Sequence, residues 1–115
     1  MPVYVINIAK EYSKTPGGRN VSEGPYSGED FRDTCLLPVA IKALKENAHI
    51  EINLDGGFGY APSFLEEAFG GLVRELKDGR LLDIISIISE EEPPLITDIS
   101  KYMKEALKDL PREQK

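Results

Sequence analysis

The chain of 115 residues has the usual size of one domain, and we expect a single domain over residues 1–115. Its 14 Lys and Arg against 20 Asp and Glu give a formal net charge of −6, which disfavours the phosphate neutralisation that nucleic-acid binding needs. One Cys and one His leave no disulfide and no spacing for a metal site, and no apolar run is long enough to predict a membrane segment.

A strand and then a long loop are predicted at the start of the chain. Residues 3–8 are β-branched or aromatic at most positions, follow Pro2, and precede a polar stretch. From Ala9 to Tyr26 the composition changes to Ser, Thr, Pro, Gly and charged residues. We expect residues 12–26 to be mobile or to form a weak hairpin over the sheet edge, with Arg19 exposed.

A helix is predicted from Ser27 to about Glu46. Ser27 is placed to accept the amide hydrogen of Asp30, as an N-cap does. Pro38 lies inside this helix and removes one backbone hydrogen bond, so a kink is expected there. Residues 49–54 then alternate between aliphatic and polar side chains, which predicts a second strand.

The next helix follows a glycine-rich exit from that strand, residues 55–60. Ser63 and Glu66 have the spacing of a capping box, and an apolar stripe at helical spacing follows them. The helix is expected to end at Gly79 in a left-handed C-cap. Glycines at positions 70 and 71 each cost roughly 1 kcal/mol in a helix, so they either permit a close backbone approach or are simply tolerated.

The last elements are a strand and a helix. Residues 81–89 are largely aliphatic without alternation, which suits a parallel strand covered on both faces. Residues 97–110 form an amphipathic pattern, and Pro111 is expected to end it before a frayed polar tail. Strands alternating with helices predict an α/β fold in which a mostly parallel sheet is covered by about three helices.

Ligands and partners of such sheets gather at the carboxyl ends of the strands, where residues 55–63 are expected to lie. This segment has neither the GxGxxG nor the P-loop pattern, and Ser63 lacks the GxSxG elbow of an esterase nucleophile. Ser63 at a helix start could instead be a phosphorylation site, or it could serve only as a cap. We therefore expect no enzymatic activity and no cofactor.

The blocks Pro16-Gly17-Gly18-Arg19, Ser27-Gly28-Glu29, Leu54-Asp55-Gly56 and Ser63-Phe64-Leu65-Glu66-Glu67-Ala68-Phe69 resemble the bacterial STAS-like family of unknown function, DUF4325. The resemblance implies a fold similar to the anti-sigma-factor antagonists, in which a small α/β domain binds a GHKL-type ATPase kinase. In those antagonists the phosphorylated Ser begins the helix after a central strand, and Ser63 falls at the similar place. Here Ala61-Pro62 precede that serine, where the antagonists carry an acidic and a hydroxyl residue.

The sequence thus favours a cytoplasmic regulatory module that binds another protein through residues 56–63 and the helix start. The N-terminal residues lack a signal-peptide pattern, which gives the cytoplasmic expectation. The expected contact residues are Arg19, Tyr60, Ser63, Phe64 and Glu67.

The alternative is a small-molecule or nucleotide sensor that uses the same loop and Arg19. Phe64 also has two interpretations. Phe64 is expected to lie off the apolar stripe, as an interface anchor, unless it packs under the loop and stabilises its own domain.

Overall fold

The computed structural model describes residues 2–110, which form a three-stranded parallel sheet flanked by helices. The strands are β1 (Val3–Asn7), β2 (His49–Asn53) and β3 (Ile85–Ile88), in the order β1-β2-β3. β2 is paired in parallel with both neighbours, with Ile52 opposite Ile6 on one side and Ile87 on the other. The predicted α/β fold is confirmed.

Helices connect and follow the strands. Their bounds are α1 (Ile8–Glu11), α2 (Gly28–Phe31, Arg32–Leu36 and Leu37–Glu46 in succession), α3 (Pro62–Leu65, Glu66–Gly70 and Gly71–Leu76 in succession), α4 (Leu81–Ile84) and α5 (Pro94–Lys108), with a 3₁₀ turn at Val21–Glu23. None of the helices within residues 2–110 combines the length and the apolar character needed to span a bilayer.

The two faces of the sheet differ in burial. Side chains alternate along a strand, so Ile50 and Ile52 of β2 point into the core and are fully buried. Val3 and Val5 of β1 point to the opposite face and are 52% and 57% exposed. The first face of the sheet is therefore buried in the core, while the second face of β1 is open to solvent.

α3 lies at the centre of the helical layer. It contacts α2 on one side and α5 on the other, and its residues Phe69, Leu72 and Val73 are fully buried. Ile99 and Met103 of α5 join the same core. Because α3 packs against two helices as well as the sheet, its apolar surface is wider than a single stripe.

Both long crossover helices contain a π-helical segment. In α2 the amide of Leu37 bonds the carbonyl of Arg32, five residues back. Pro38 follows directly; it has no amide hydrogen to give to the ladder, and its ring is incompatible with a regular bond to the carbonyl four residues back. The helix widens at this point and continues to Glu46, so the irregularity expected at Pro38 takes the form of a π segment.

The helix ends and the third strand differ from expectation. α3 stops at Leu76, and Lys77 takes the left-handed conformation, with φ of 53°, that was predicted for Gly79. The predicted strand over residues 81–89 is wrong in its first half, since Leu81–Ile84 is a helical turn. The predicted helix stop at Pro111 and the tail after it lie outside the described residues.

Candidate functional site

The glycine-rich loop, residues 54–61, lies at the carboxyl ends of β2 and β3. The Leu54 amide donates to the Ile88 carbonyl at 2.8 Å, which carries the β2–β3 pairing into the loop. The Asp55 carboxylate accepts from the amides of Glu90 and Glu91, each at 3.0 Å. Together these bonds hold the base of the loop against the segment that follows β3.

Phe58 is the exposed aromatic residue of this loop. Its side chain is 83% exposed, the highest value among the exposed large hydrophobic residues of the described chain. Its amide nevertheless donates to the Lys14 carbonyl at 2.9 Å, so the backbone at Phe58 is bound to the preceding loop. Gly56 and Gly59 on either side have φ of 96° and 126°, which a residue with a side chain rarely adopts.

Phe58 was missed as a candidate contact residue. The signal was present in the sequence, since an aromatic residue between glycines has no apolar neighbour in the chain to bury it.

Tyr60 closes the loop. Its hydroxyl donates to the Leu54 carbonyl at 2.8 Å, and burial, with smaller contributions from Asp55 and Glu91, raises its pKa to about 12. The phenol is therefore neutral at physiological pH and serves as a hydrogen-bond donor within the loop. Its ring lies 6.1 Å from that of Phe64, so Tyr60 connects the loop to the core.

The space under the glycine-rich loop is small. The cavity bounded by Asp55, Tyr60, Ser89 and Leu95 holds about 20 Å³, which is room for a single water molecule. Ligand sites for drug-sized molecules usually have roughly 300–1,000 Å³. Within residues 2–110 no cluster of His, Cys, Asp or Glu has metal-binding geometry.

Ser63 is not the cap of α3. Ala61 is the N-cap residue, Pro62 is the first helical residue, and Ser63 follows it inside the first turn without a side-chain capping bond. The predicted capping box with Glu66 is wrong, because Pro62 has the fixed φ that suits a first helical position and so starts the helix earlier. Ser63 is half-buried, and its phosphorylation stays a prediction.

Phe64 lies in the core, so the expectation that it is off the buried surface is wrong. Its side chain is fully buried, and its ring centroid lies 5.9 Å from that of Phe31. The reason is the second helical neighbour of α3, since α2 begins directly against Phe64 at Gly28. This burial matches the other interpretation of Phe64, in which it stabilises its own domain.

Residues 12–26 are bound to the start of α2. All of them are described, and none belongs to a strand, so they do not form the expected hairpin. The Gly17 amide donates to the Tyr26 carbonyl, and the Glu29 amide donates to the Arg19 carbonyl, both at 3.0 Å. The mobility of this loop stays a prediction.

Arg19 is ion-paired and not merely solvated. Its Nη1 lies 2.5 Å from Glu66 Oε1 and 3.3 Å from Glu67 Oε1, and its side chain is 39% exposed. Arg74 contacts the same two carboxylates from within α3. Arg74, and to a lesser extent Arg19, hold the pKa of Glu66 below its usual value against the opposing effect of burial.

Glu67 also binds Arg32, which comes from the π segment of α2. Arg32 Nη1 lies 2.6 Å from Glu67 Oε2, and the Arg32 side chain is only 10% exposed. A Cβ on Gly71 would lie 2.5 Å from that Nη1, so the glycine leaves the room that the guanidinium occupies. A Cβ on Gly70 would lie 2.7 Å from Glu66 Oε2. The glycine pair therefore makes space for an ion-pair network between the two helices.

The site residues expected from the sequence thus lie in two groups. Tyr60 belongs to the glycine-rich loop, while Arg19 and Glu67 belong to the ion-pair network that joins residues 12–26 to α2 and α3. Arg32 and Arg74 were missed, because the α3 partner of Arg32 lies 35 residues away and the carboxylate closest to Arg74 lies eight residues away along the same helix.

The fold and this site define a small α/β domain of parallel strands with an ordered glycine-rich loop at the carboxyl edge. The chain belongs to the STAS-like domain family of unknown function (DUF4325), whose model matches residues 27–94. That match covers more than half of the chain and confirms the resemblance. No curated protein and no solved structure matches the chain.

Proposed function

We propose that the protein is a non-enzymatic, cytoplasmic regulatory module that binds another protein through residues 56–63 and the start of α3. Membership of a STAS-like family supports a regulatory role. The observation that carries the proposal is Phe58, an 83% exposed aromatic side chain on a loop whose backbone is bound on both sides. By analogy with the anti-sigma-factor antagonists, the partner we propose is a GHKL-type ATPase or kinase.

The energetics of Phe58 support a contact role. Burial of a phenylalanine side chain stabilises by roughly 1.5–3 kcal/mol, and at 83% exposure the isolated domain gains little of this. A partner that covers the ring would gain it on binding. Because the amide of Phe58 is already bound to Lys14, little backbone freedom remains to be lost in the complex.

The other proposed contact residues have different roles around Phe58. Tyr60 holds the loop in place through Leu54, and Ser63 lies half-buried on the first turn of α3. Arg19 and Glu67 form the charged surface beside that turn. Phe64 is proposed to support this surface from below and not to touch the partner, since it is fully buried.

Phosphorylation of Ser63 is a further part of the proposal. A phosphate in the first turn of a helix meets unpaired amides and the positive end of the helix dipole, which favours it. Glu66 and Glu67, three and four positions farther along the helix, would repel the phosphate. Arg19 and Arg74 both contact these carboxylates and are therefore the cations that such a modification would affect.

The small-molecule sensor remains the alternative, and no observation favours it. The cavity of about 20 Å³ beneath the loop is too small for a nucleotide, and Arg19 is occupied by two carboxylates. A sensor would require the loop to open widely on binding.

A comparative pulldown tests the proposal. The tagged wild-type chain and a Phe58→Ala variant are expressed in the native cell, and the captured proteins are quantified by mass spectrometry. We expect a GHKL-type ATPase among the captured proteins, reduced roughly tenfold or more with Phe58→Ala. The matched control is Ile41→Ala, since Ile41 is 43% exposed on α2. Equal capture by all three chains would contradict the proposal.

A further inference from the structure

Residues 12–17, called the clamp below, are bound at both ends to the chain around the start of α2. At one end the Tyr12 hydroxyl donates to Asp30 Oδ2 at 2.6 Å. At the other end the Gly17 amide donates to the Tyr26 carbonyl at 3.0 Å. The Tyr12 ring also meets that of Tyr26 edge-on, with 5.6 Å between the ring centroids. The clamp is thus fixed at both ends on one part of the molecule.

The middle of the clamp is a turn closed by Ser13. The Ser13 hydroxyl oxygen accepts from the Thr15 amide at 3.0 Å, and the Ser13 amide donates to the Ile8 carbonyl at 2.9 Å. A serine hydroxyl that accepts from the amide two positions farther along the chain restricts the residue between them, as in an ST turn. Here the residue between them is Lys14, so the turn sets the direction of the Lys14 carbonyl.

The Lys14 carbonyl contacts the outer part of the glycine-rich loop. It accepts from the Phe58 amide at 2.9 Å, and within residues 2–110 this is the only backbone hydrogen bond made by residues 57–59. A Cβ on Gly57 would lie 3.3 Å from the same carbonyl oxygen, so the glycine lets the two backbones approach closely. The clamp therefore supports the part of the loop that carries the Phe58 side chain.

The remaining bonds of the glycine-rich loop hold its base. The Gly56 amide donates to Glu91 Oε1 at 3.0 Å, and the Tyr60 hydroxyl donates to the Leu54 carbonyl at 2.8 Å. Phe58 lies between these two points, and its ring cannot order the backbone by packing because it is 83% exposed. The order of the backbone at Phe58 depends on the clamp.

We propose that Ser13 is a positioning residue of the docking surface, because its hydroxyl closes the turn that presents the Lys14 carbonyl to the Phe58 amide. This inference rests on the proposed function, in which Phe58 contacts the partner. A backbone that is ordered before binding loses less conformational freedom in the complex. Ser13 therefore contributes to affinity through Phe58 and not through a contact of its own.

Hydrogen exchange of the Phe58 amide in the isolated full chain, followed by NMR, tests the proposal. We expect Ser13→Ala to raise the exchange rate roughly threefold to tenfold, the effect of losing one hydrogen bond. Ser13→Asn should restore the wild-type rate, since an asparagine side chain also accepts from the amide two positions along. The matched control is Ser100→Ala, which changes another half-buried serine, on α5, and should leave the rate unchanged. The amides of β2 should keep their protection in all variants, which separates positioning from a general loss of stability.

A second pair of variants acts on the same contact from the side of the loop. Gly57→Val should raise the exchange rate of the Phe58 amide, because the added side chain pushes the Lys14 carbonyl away. The matched control is Gly17→Val, since a Cβ on Gly17 would meet no atom within 4 Å beyond its chain neighbours. An unchanged rate in both Ser13→Ala and Gly57→Val would overturn the proposal, and so would a failure of Ser13→Asn to restore the rate.

The partner pulldown distinguishes this inference from the proposed function. We expect Ser13→Ala to capture roughly threefold to tenfold less partner than the wild type, and Ser13→Asn to capture as much. Capture that falls with Phe58→Ala and not with Ser13→Ala would overturn the positioning role and leave the docking function in place. Equal capture with Phe58→Ala would contradict the docking function, and exchange in the isolated chain then decides whether Ser13 positions the loop.

Discussion

Replacement of Gly28 by alanine tests the packing of α2 against α3 more directly than any other single change. Gly28 is the first residue of α2 and is buried. A Cβ at this position would lie 2.4 Å from the carbonyl oxygen of Phe64 and 3.1 Å from Glu67 Cβ. Because the nearest atom belongs to backbone, it cannot rotate away as the end of a side chain could. The added methyl group would therefore separate the starts of the two helices.

Gly28→Ala is expected to destabilise the protein, whereas replacement of glycine by alanine in a helix ordinarily stabilises it. Alanine in a helix is usually more stable than glycine by about 0.5–1 kcal/mol. Overpacking of a close contact costs about 1–3 kcal/mol, and here it also disturbs the fully buried Phe64. We expect Gly28→Ala to lower the free energy of unfolding by about 2 kcal/mol, or the melting temperature by roughly 8 °C.

Urea unfolding followed by far-UV circular dichroism measures this difference, with Gly17→Ala as the control. A Cβ on Gly17 would meet no atom within 4 Å beyond its chain neighbours, and the φ of Gly17 is not positive. Its replacement should therefore be neutral or slightly stabilising, by up to about 1 kcal/mol. The reasoning is refuted if Gly28→Ala is as stable as the wild type while Gly17→Ala behaves as expected.

The ion pairs and hydrogen bonds around α2 and α3 give three further predictions. Gly71→Ala should destabilise by about 1 kcal/mol in urea unfolding, since displacement of the buried Arg32 guanidinium costs about 1–3 kcal/mol and the higher helix propensity of alanine offsets about 0.5–1 kcal/mol of that cost; an unchanged midpoint would contradict this. Glu66→Gln should reduce the loss of stability on acidification. Because the pKa of Glu66 is lower in the folded protein, its ion pairs contribute their full stability at pH values above the usual pKa near 4.5. That stability is lost as the pH falls through the lower pKa of the folded state. Parallel pH profiles of the two proteins would refute the ion pairing. Tyr12→Phe should cost about 1–3 kcal/mol of unfolding free energy, because it removes the 2.6 Å bond to Asp30; a cost near zero would show that water replaces the bond.

Local patterns were sufficient for most of the fold. The predicted Ser27 cap is confirmed, since the Ser27 hydroxyl accepts from the Asp30 amide at 3.1 Å. It could be predicted because a cap depends only on residues three positions apart in the sequence. The prediction for residues 81–84 is wrong for the reason that makes short aliphatic runs ambiguous: a buried strand and a turn of buried helix have the same composition. Length and periodicity cannot separate the two over four residues.

The errors at the site have identifiable causes. The spacing of Ser63 to Glu66 fits a capping box, whereas Pro62 at the first helical position is the stronger signal. The prediction that Phe64 lies outside the core assumes a single apolar stripe and therefore one buried side. α3 has two helical neighbours, and the position of the second one depends on tertiary packing.

The ion pairs that join separate elements could not have been predicted from the sequence. Arg19 lies 47 residues from Glu66, and Arg32 lies 35 residues from Glu67, so no local spacing relates them. From the sequence alone, Gly71 lowers the stability of the helix, and no compensation for this loss is visible. The compensation is the space that it leaves for the Arg32 guanidinium, which only the packing of α2 on α3 creates.

The contrast between Phe58 and Phe64 explains why the proposed docking surface can change without loss of the fold. Phe64 is fully buried, so its truncation to alanine should cost about 3–5 kcal/mol, and any loss of binding would then follow from unfolding. Phe58 is 83% exposed, and the bonds that hold its loop involve backbone groups of Lys14 and Leu54 and not its ring. Sequence change at Phe58 is therefore uncoupled from stability. At such a position the backbone is fixed and the side chain contributes little to the stability of the domain. The residue can therefore change to suit a partner without affecting the core beneath it.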